Sequence, residues 1–212
     1  MLFSQMEPPA GWEADFHAWY DDEHIPARMA IDGFAAASRY EIIDGEPQWL
    51  AIYELDDMSA LQTAEYRVLK TDPSALTKKM LDNVSGFTRF TCELASDTGH
   101  VGDHSYIATV AFAVPDEDAE QFDDWYETEH SPLLLAADDW LRVRRYRVLD
   151  GAGGPWTHFA VHELASKEVM DSPERAAARQ GPKREALVDR PWFGQSGRWF
   201  YRHHNRQTTG SL

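Results

Sequence analysis

The sequence predicts an α+β protein built from two tandem βαββαβ units that close together into one barrel. Three observations predict it. The segment Phe16-His17-Ala18-Trp19-Tyr20-Asp21-Asp22-Glu23-His24-Ile25-Pro26 returns 106 residues later as Phe122-Asp123-Asp124-Trp125-Tyr126-Glu127-Thr128-Glu129-His130-Ser131-Pro132, identical at six of eleven positions. Self-similarity at a fixed offset is the mark of a duplicated structural unit. The offset then persists: Arg39-Tyr40 matches Arg145-Tyr146 and Asp44-Gly45 matches Asp150-Gly151. After a three-residue insertion near Gly153-Gly154, Glu54-Leu55 matches Glu163-Leu164, and Ser85-Gly86-Phe87 aligns with Ser196-Gly197-Arg198.

Each copy reads in the same order. A strand (2–6; 106–114) leads into a helix (12–24; 117–130) whose start carries acidic residues and a preceding Pro. Two strands follow (37–43 and 49–55; 142–149 and 157–164), with Asp44-Gly45 and Asp150-Gly151 as hairpin signals. A second helical region (59–81; 167–188) and a closing strand (87–94; 198–203) complete the unit. This is the ferredoxin-like plan. The first repeat is expected over 1–96 and the second over 105–212, with a linker at 97–104 that overlaps the Gly- and Ser-containing stretch 94–102. Two sheets with helices on one face each can cover one another, and the space between the sheets is the expected ligand site.

Composition bounds the function. The chain has 212 residues, of which 43% are hydrophobic and 12% aromatic, enough for a sizeable core. The net charge of −16 argues against nucleic-acid and anionic-membrane partners. That charge is uneven: residues 1–106 carry −12 and residues 107–212 carry −4, so a site for an anionic group is expected in the second half. Cys92 is the only cysteine, which suits a reducing compartment. No secretion signal is visible over Met1–Ala10, and the apolar run Tyr106–Val114 is too short to span a bilayer. The expectation is a cytoplasmic protein with a small-molecule partner; exposed sheet edges would make a homodimer plausible.

The candidate chemistry lies at the end of the repeated helix. At about 100° per residue, Trp19, Tyr20 and Glu23 share the face of Phe16, with His24 on its flank, and the second copy repeats this through Trp125, Tyr126, Glu129 and His130. A carboxylate in an apolar face is costly unless it is bonded. One reading is structural: Pro26 and Pro132 end the helix, and Glu and His bond the backbone groups freed in the turn. The other is catalytic: Glu23 or Glu129 orients His24 or His130, whose ordinary pKa of about 6.5 suits proton transfer.

Phe-x-x-Trp-Tyr-x-x-Glu-His-x-Pro followed by Arg-Tyr on the next strand resembles the EthD-like families of the dimeric α+β barrel superfamily. The resemblance covers both halves and implies an intramolecular dimeric α+β barrel, two ferredoxin-like repeats in one chain. It also implies that His24 and His130 match the His often proposed as functional. It does not choose an activity: the superfamily holds cofactor-free monooxygenases, polyketide cyclases, lactone isomerases, dehydratases or decarboxylases, haem-using enzymes and stress-related proteins.

His158 and His162, four apart on a strand, point to one face; their first-copy counterparts are Trp49 and Tyr53, and without a third ligand no metal site is expected. Tyr40 and Tyr146 alternate with Arg39 and Arg145, so inward tyrosines with outward arginines are expected, the tyrosines able to serve a developing oxyanion. The run Arg142, Arg144, Arg145 and Arg147 reads as a partly solvated strand paired with acidic helices. No phosphate loop, dinucleotide fingerprint or nucleophile elbow is present. The leading expectation is a cofactor-independent enzyme acting on a small apolar carbonyl or aromatic compound, of lyase, isomerase, dehydratase or cyclase type. His130 or His24 would move the proton, Trp19 and Trp125 would line the substrate, and the second copy's pocket is favoured because His158, His162 and Tyr146 can gather with His130. The alternatives are a haem-dependent enzyme with a His axial ligand, and a non-catalytic binding protein.

Overall fold

The computed structural model describes residues 1–209. In the first half, β1 (Leu2–Glu7) leads into α1 (Glu13–Trp19), a π-helical turn (Tyr20–His24) and α2 (Ile25–Met29); β2 (Phe34–Ile42) and β3 (Trp49–Leu55) follow, then α3 (Ala64–Thr71), α4 (Ala75–Asn83) and β4 (Ser85–Gly99). The second half repeats this as β5 (Tyr106–Phe112), α5 (Ala119–Trp125), a π-helical turn (Tyr126–His130), α6 (Ser131–Leu134), β6 (Trp140–Ala152), β7 (His158–Leu164), α7 (Pro173–Ala178), α8 (Pro182–Val188) and β8 (Gly197–Thr208). The eight strands hydrogen-bond in the order β1-β3-β2-β8-β5-β7-β6-β4, a closed barrel. No helix among the described residues is long and apolar enough to cross a membrane.

Among the described residues two compact units emerge, one of residues 1–91, 150–153 and 204–209, the other of 92–149 and 154–203. In the first, β1 pairs antiparallel with β3 (Leu2 opposite Tyr53) and with β4 (Leu2 opposite Thr91). In the second, β5 pairs the same way with β7 (Ala108 opposite His162) and β8 (Ala108 opposite Phe200). These ladders make Tyr53 the counterpart of His162. They also place Arg89, opposite Ser4, as the counterpart of Arg198, opposite Val110. The alignment of Phe87 with Arg198 is therefore two residues out.

Several boundaries differ from expectation for local reasons. The first long helix does not stop at Pro26 or Pro132. Ile25 N–H bonds the Tyr20 carbonyl five residues back, and each proline then sits in the first turn of the next short helix, where its missing N–H costs nothing. The second helical region is two helices in each copy. Asp72 before Pro73 leaves helical geometry (φ −135°, ψ 62°), and Gly181 precedes Pro182. Asp150 and Gly151 lie within β6 rather than at a turn; Gly151 is there because a Cβ would strike the Phe90 ring. The turn falls instead at Gly153, whose φ is +103°. β4 continues to Gly99, so the stretch expected as linker is strand up to that residue.

The helix-facing side of each sheet holds its core. Phe16, Trp19 and Tyr20 pack with Leu2, Met6, Ala37, Trp49 and Ala51; Phe122, Trp125 and Tyr126 pack with Ala108, Phe112, Val143 and Ala160. Each such side chain contributes about 1.5–3 kcal/mol by leaving water. Arg39 and Arg145 face this core and are buried, which corrects the expected outward arginines. The Arg39 guanidinium lies 4.5 Å from the Tyr20 ring and 3.1 Å from Asp21 Oδ1; Arg145 lies 4.9 Å from the Tyr126 ring and pairs with Asp123 and Glu127. Aromatic faces and carboxylates together make a buried guanidinium tolerable. By alternation Tyr40 and Tyr146 occupy the opposite face of their sheets.

Candidate functional site

The site is set by the π turn. Inserting one residue into a helical turn advances everything after it by about 100°. His24 thus takes the place in the aromatic face that a regular helix gives Glu23. Its ring lies 4.3 Å from Trp19 and 5.0 Å from Tyr20, and the residue is 5% exposed. His130 does the same against Trp125 (4.6 Å) and Tyr126 (4.9 Å).

Glu23 and Glu129 turn away toward a helix N-terminus. Glu23 Oε1 accepts from Thr77 Oγ1 at 2.6 Å and from Ser74 Oγ, and Ser74 itself caps α4 by accepting from Thr77 N–H at 2.9 Å. Glu129 reaches α8 directly, accepting the Lys183 and Arg184 N–H groups at 3.0 Å each. Gly181 at that cap has no side chain because a Cβ would fall on the Glu129 carboxylate. Glu129 thus satisfies two orphan helix donors, while Glu23 holds the Ser74 and Thr77 hydroxyls at the start of α4. The structure gives neither of them a hydrogen bond to its neighbouring histidine.

The histidines then differ. His130 Nδ1 donates to the Ala178 carbonyl at 3.1 Å. His24 Nδ1 is buried with no partner, and so is the hydroxyl of Tyr53. Buried polar groups are bonded in the great majority of cases, so two orphans together mark an unusual place. Both line a cavity of about 180 Å³ in the first unit, between its sheet and its helices. Tyr20, Arg28, Tyr66 and Arg89 share the lining, with Leu2, Met6 and Leu69 as its apolar part. Tyr20 O–H points at Met6 Sδ (3.5 Å), Arg28 Nη1 donates to the His24 carbonyl (2.9 Å), and Arg89 Nη2 donates to Tyr66 Oη (3.1 Å).

Electrostatics keep the pair neutral. Burial holds His24 well below the ordinary 6.5, and the charges of Arg28 and Arg39 push the same way. Burial pushes the Tyr53 phenol up to about 12, so it remains an O–H donor. At neutral pH the cavity therefore presents an unprotonated imidazole and a protonated phenol.

The second unit brings together only part of the expected cluster. His130 and His162 are close (ring centroids 6.4 Å). His162 Nδ1 accepts from Trp140 Nε1 at 3.2 Å, and burial lowers its pKa to about 3. His158 packs on Phe122 at 5.2 Å with Thr157 Oγ1 at 2.9 Å from its Nδ1. Tyr146 faces the other side of the sheet and does not join His130, and Tyr40 likewise leaves the His24 side. Trp19 and Trp125 are core residues, Trp19 donating to Thr77 Oγ1 at 2.9 Å. Where the first unit has Met6, Arg28 and Tyr53, the second has Phe112, Leu134 and His162. The sequence reading missed Tyr53, Tyr66 and Arg89 as site residues. The available signal was the divergence between copies, above all Arg28 against Leu134 and Tyr53 against His162. The run of second-half arginines is engaged by carboxylates: Arg142 by Asp97, Arg144 by Glu163, Arg145 and Arg147 by Asp123.

No protein-family model matches the chain, and no curated protein does. Solved structures match over nearly its full length. An anthrone oxidase-like protein superposes with a TM-score of 0.72 at 13% identity, over 99% of this chain and 92% of its own. A putative monooxygenase from Lactobacillus acidophilus gives 0.61 at 10%, over 100% and 96%. A chlorite dismutase from Candidatus Nitrospira defluvii gives 0.58 at 10%, over 96% and 90%. At these identities the likeness is one of fold, and it agrees with the resemblance carried by the repeated helix motif. The chain has the fold of the dimeric α+β barrel superfamily, with both ferredoxin-like repeats in a single polypeptide.

Proposed function

We propose that the chain is a cofactor-independent enzyme that moves a proton on a small ring-bearing carbonyl compound, in the cavity of the first unit. One observation carries this: of two histidines in the same repeated motif, His130 is satisfied by a backbone carbonyl while His24 is orphaned in a cavity beside the orphaned Tyr53 hydroxyl. The volume supports a compact substrate, since a cavity of about 150 Å³ accommodates benzene. It is too small, as described, for a porphyrin, and we derive no step through haem.

In this reading, neutral His24 removes a proton from a carbon next to the carbonyl. The bonding pair moves into the new carbon–carbon double bond as the carbonyl pair shifts onto oxygen. Tyr53 O–H donates to the resulting enolate oxygen. Return of the proton from His24 at another carbon completes an isomerisation; loss of a leaving group instead completes a dehydration or lyase step. A second reading follows from the oxidase-like and monooxygenase-like descriptions of two fold neighbours: the same enolate reacts with dioxygen as co-substrate.

Deuterium exchange tests the first step. In D₂O, proton NMR of 1-indanone and 2-tetralone is expected to show enzyme-dependent exchange next to the carbonyl, reduced at least about a hundredfold in His24→Gln and little changed in His130→Gln. An oxygen electrode on the same mixtures separates the two readings. Exchange that is undiminished in His24→Gln would contradict the assignment.

A further inference from the structure

The cavity carries three cationic side chains and no anionic one. Arg28, Lys70 and Arg89 line it, and no Asp or Glu does. Among the described residues none of the three is paired with a carboxylate; their polar partners are the His24 carbonyl and the Tyr66 hydroxyl. This runs against the composition of a chain with 36 acidic and 20 basic side chains. Several other arginines pair with acids: Arg39 with Asp21, Arg144 with Glu163 and Arg206 with Glu54.

The combination of Arg28 and Arg89 is particular to the first unit; in the second, the charges of Arg175, Arg184 and Arg198 act on His130. The second retains Arg198 at the position of Arg89 but has Leu134 in place of Arg28. Guanidinium groups present planar, paired donors that match a carboxylate. Here they border a half-apolar cavity formed by Leu2, Met6 and Leu69. Arg28 is also braced against the face of Tyr53, 5.7 Å from its centroid, so less side-chain freedom is lost when it binds.

Resting on the function proposed above, we infer that the substrate is a small planar ring compound bearing one carboxylate, held by Arg28 and Arg89 with Lys70 at the exposed rim. A bound carboxylate offsets the Arg28 charge that disfavours protonated His24. Substrate binding itself then makes the proton transfer easier, and a neutral analogue lacks that help.

Calorimetric titration with benzoate and benzamide, ligands of one shape and different charge, tests this at pH 7.5 and low salt. Benzoate is expected to bind wild type at least about tenfold more tightly than benzamide. Arg28→Gln and Arg89→Gln should each lower benzoate affinity about tenfold while leaving benzamide within about twofold. Arg28→Lys, which keeps the charge, should restore part of the loss. Equal affinities for the two ligands, or variants that weaken both alike, would overturn the carboxylate assignment even if ketone exchange still depends on His24. Arg-dependent benzoate binding beside unchanged exchange in His24→Gln would leave the anion site standing and remove the proton chemistry. Absence of binding by either ligand would overturn the inference.

Discussion

His24 and His130 occupy one position in a duplicated motif and are separated by one hydrogen bond. The Ala178 carbonyl fixes the tautomer of His130, with the proton on Nδ1. An imidazole with a free buried nitrogen is a standing cost of about 1–3 kcal/mol, which a ligand can relieve. The second-unit histidines carry a further consequence. Burial lowers His130 and His158 to about 4 and His162 to about 3, from 6.5 in the unfolded chain. Between those values the unfolded chain binds protons that the folded one lacks. Stability is therefore full above about pH 6.5 and falls as the pH descends toward 4 and 3. Urea denaturation at pH 7.5 and 5.0 should show lower stability at pH 5.0, where most carboxylates are still ionised. His162→Gln should shrink that difference; a difference the variant leaves intact would mean that other groups cause it.

At the scale of the element, the π turn decides which side chain the cavity receives. The sequence places Phe16, Trp19, Tyr20, Glu23 and His24 on one stretch of helix, but nothing in their spacing reports a turn one residue wider. A regular helix puts Glu23 in the aromatic face; the wide turn puts His24 there and frees Glu23 to reach α4. The partner of each glutamate lies more than fifty residues away, beyond any local pattern, and so the capping role was not legible. Gly181 is its one trace, a glycine at a helix start where Ser or Thr would serve. Replacing Glu129 by Ala strips two backbone N–H groups of their acceptor, at a predicted cost of about 1–3 kcal/mol in denaturant unfolding. Glu129→Gln, which keeps an acceptor, should cost less. Equal stability of Glu129→Ala and wild type would show the cap to be dispensable.

Across the whole molecule, duplication made the fold readable. The 106-residue offset, the acidic and Pro signals at the helix starts and the Asp44-Gly45 turn fix the element order without reference to side-chain packing. The site was harder to read, because two kept copies of a motif look equally functional and the charge imbalance pointed to the second half. In the structure the run Arg142, Arg144, Arg145 and Arg147 is engaged by carboxylates, while Arg28, Lys70 and Arg89 have none among the described residues. Divergence between the copies, rather than their agreement, marks the proposed site. Met6, Arg28 and Tyr53 against Phe112, Leu134 and His162 distinguish a lined cavity from a packed core, and each was visible in the sequence once the ladders set the register.

In the proposed site His24, and not His130, meets the substrate. Correlation spectra of the protein labelled with ¹⁵N at the histidine ring nitrogens, recorded during titration with benzoate and with 2-tetralone, test it most directly. The His24 nitrogens are expected to shift on binding while those of His130, held by Ala178, stay in place. Movement of His130 with a silent His24 would contradict it and move the site to the second unit.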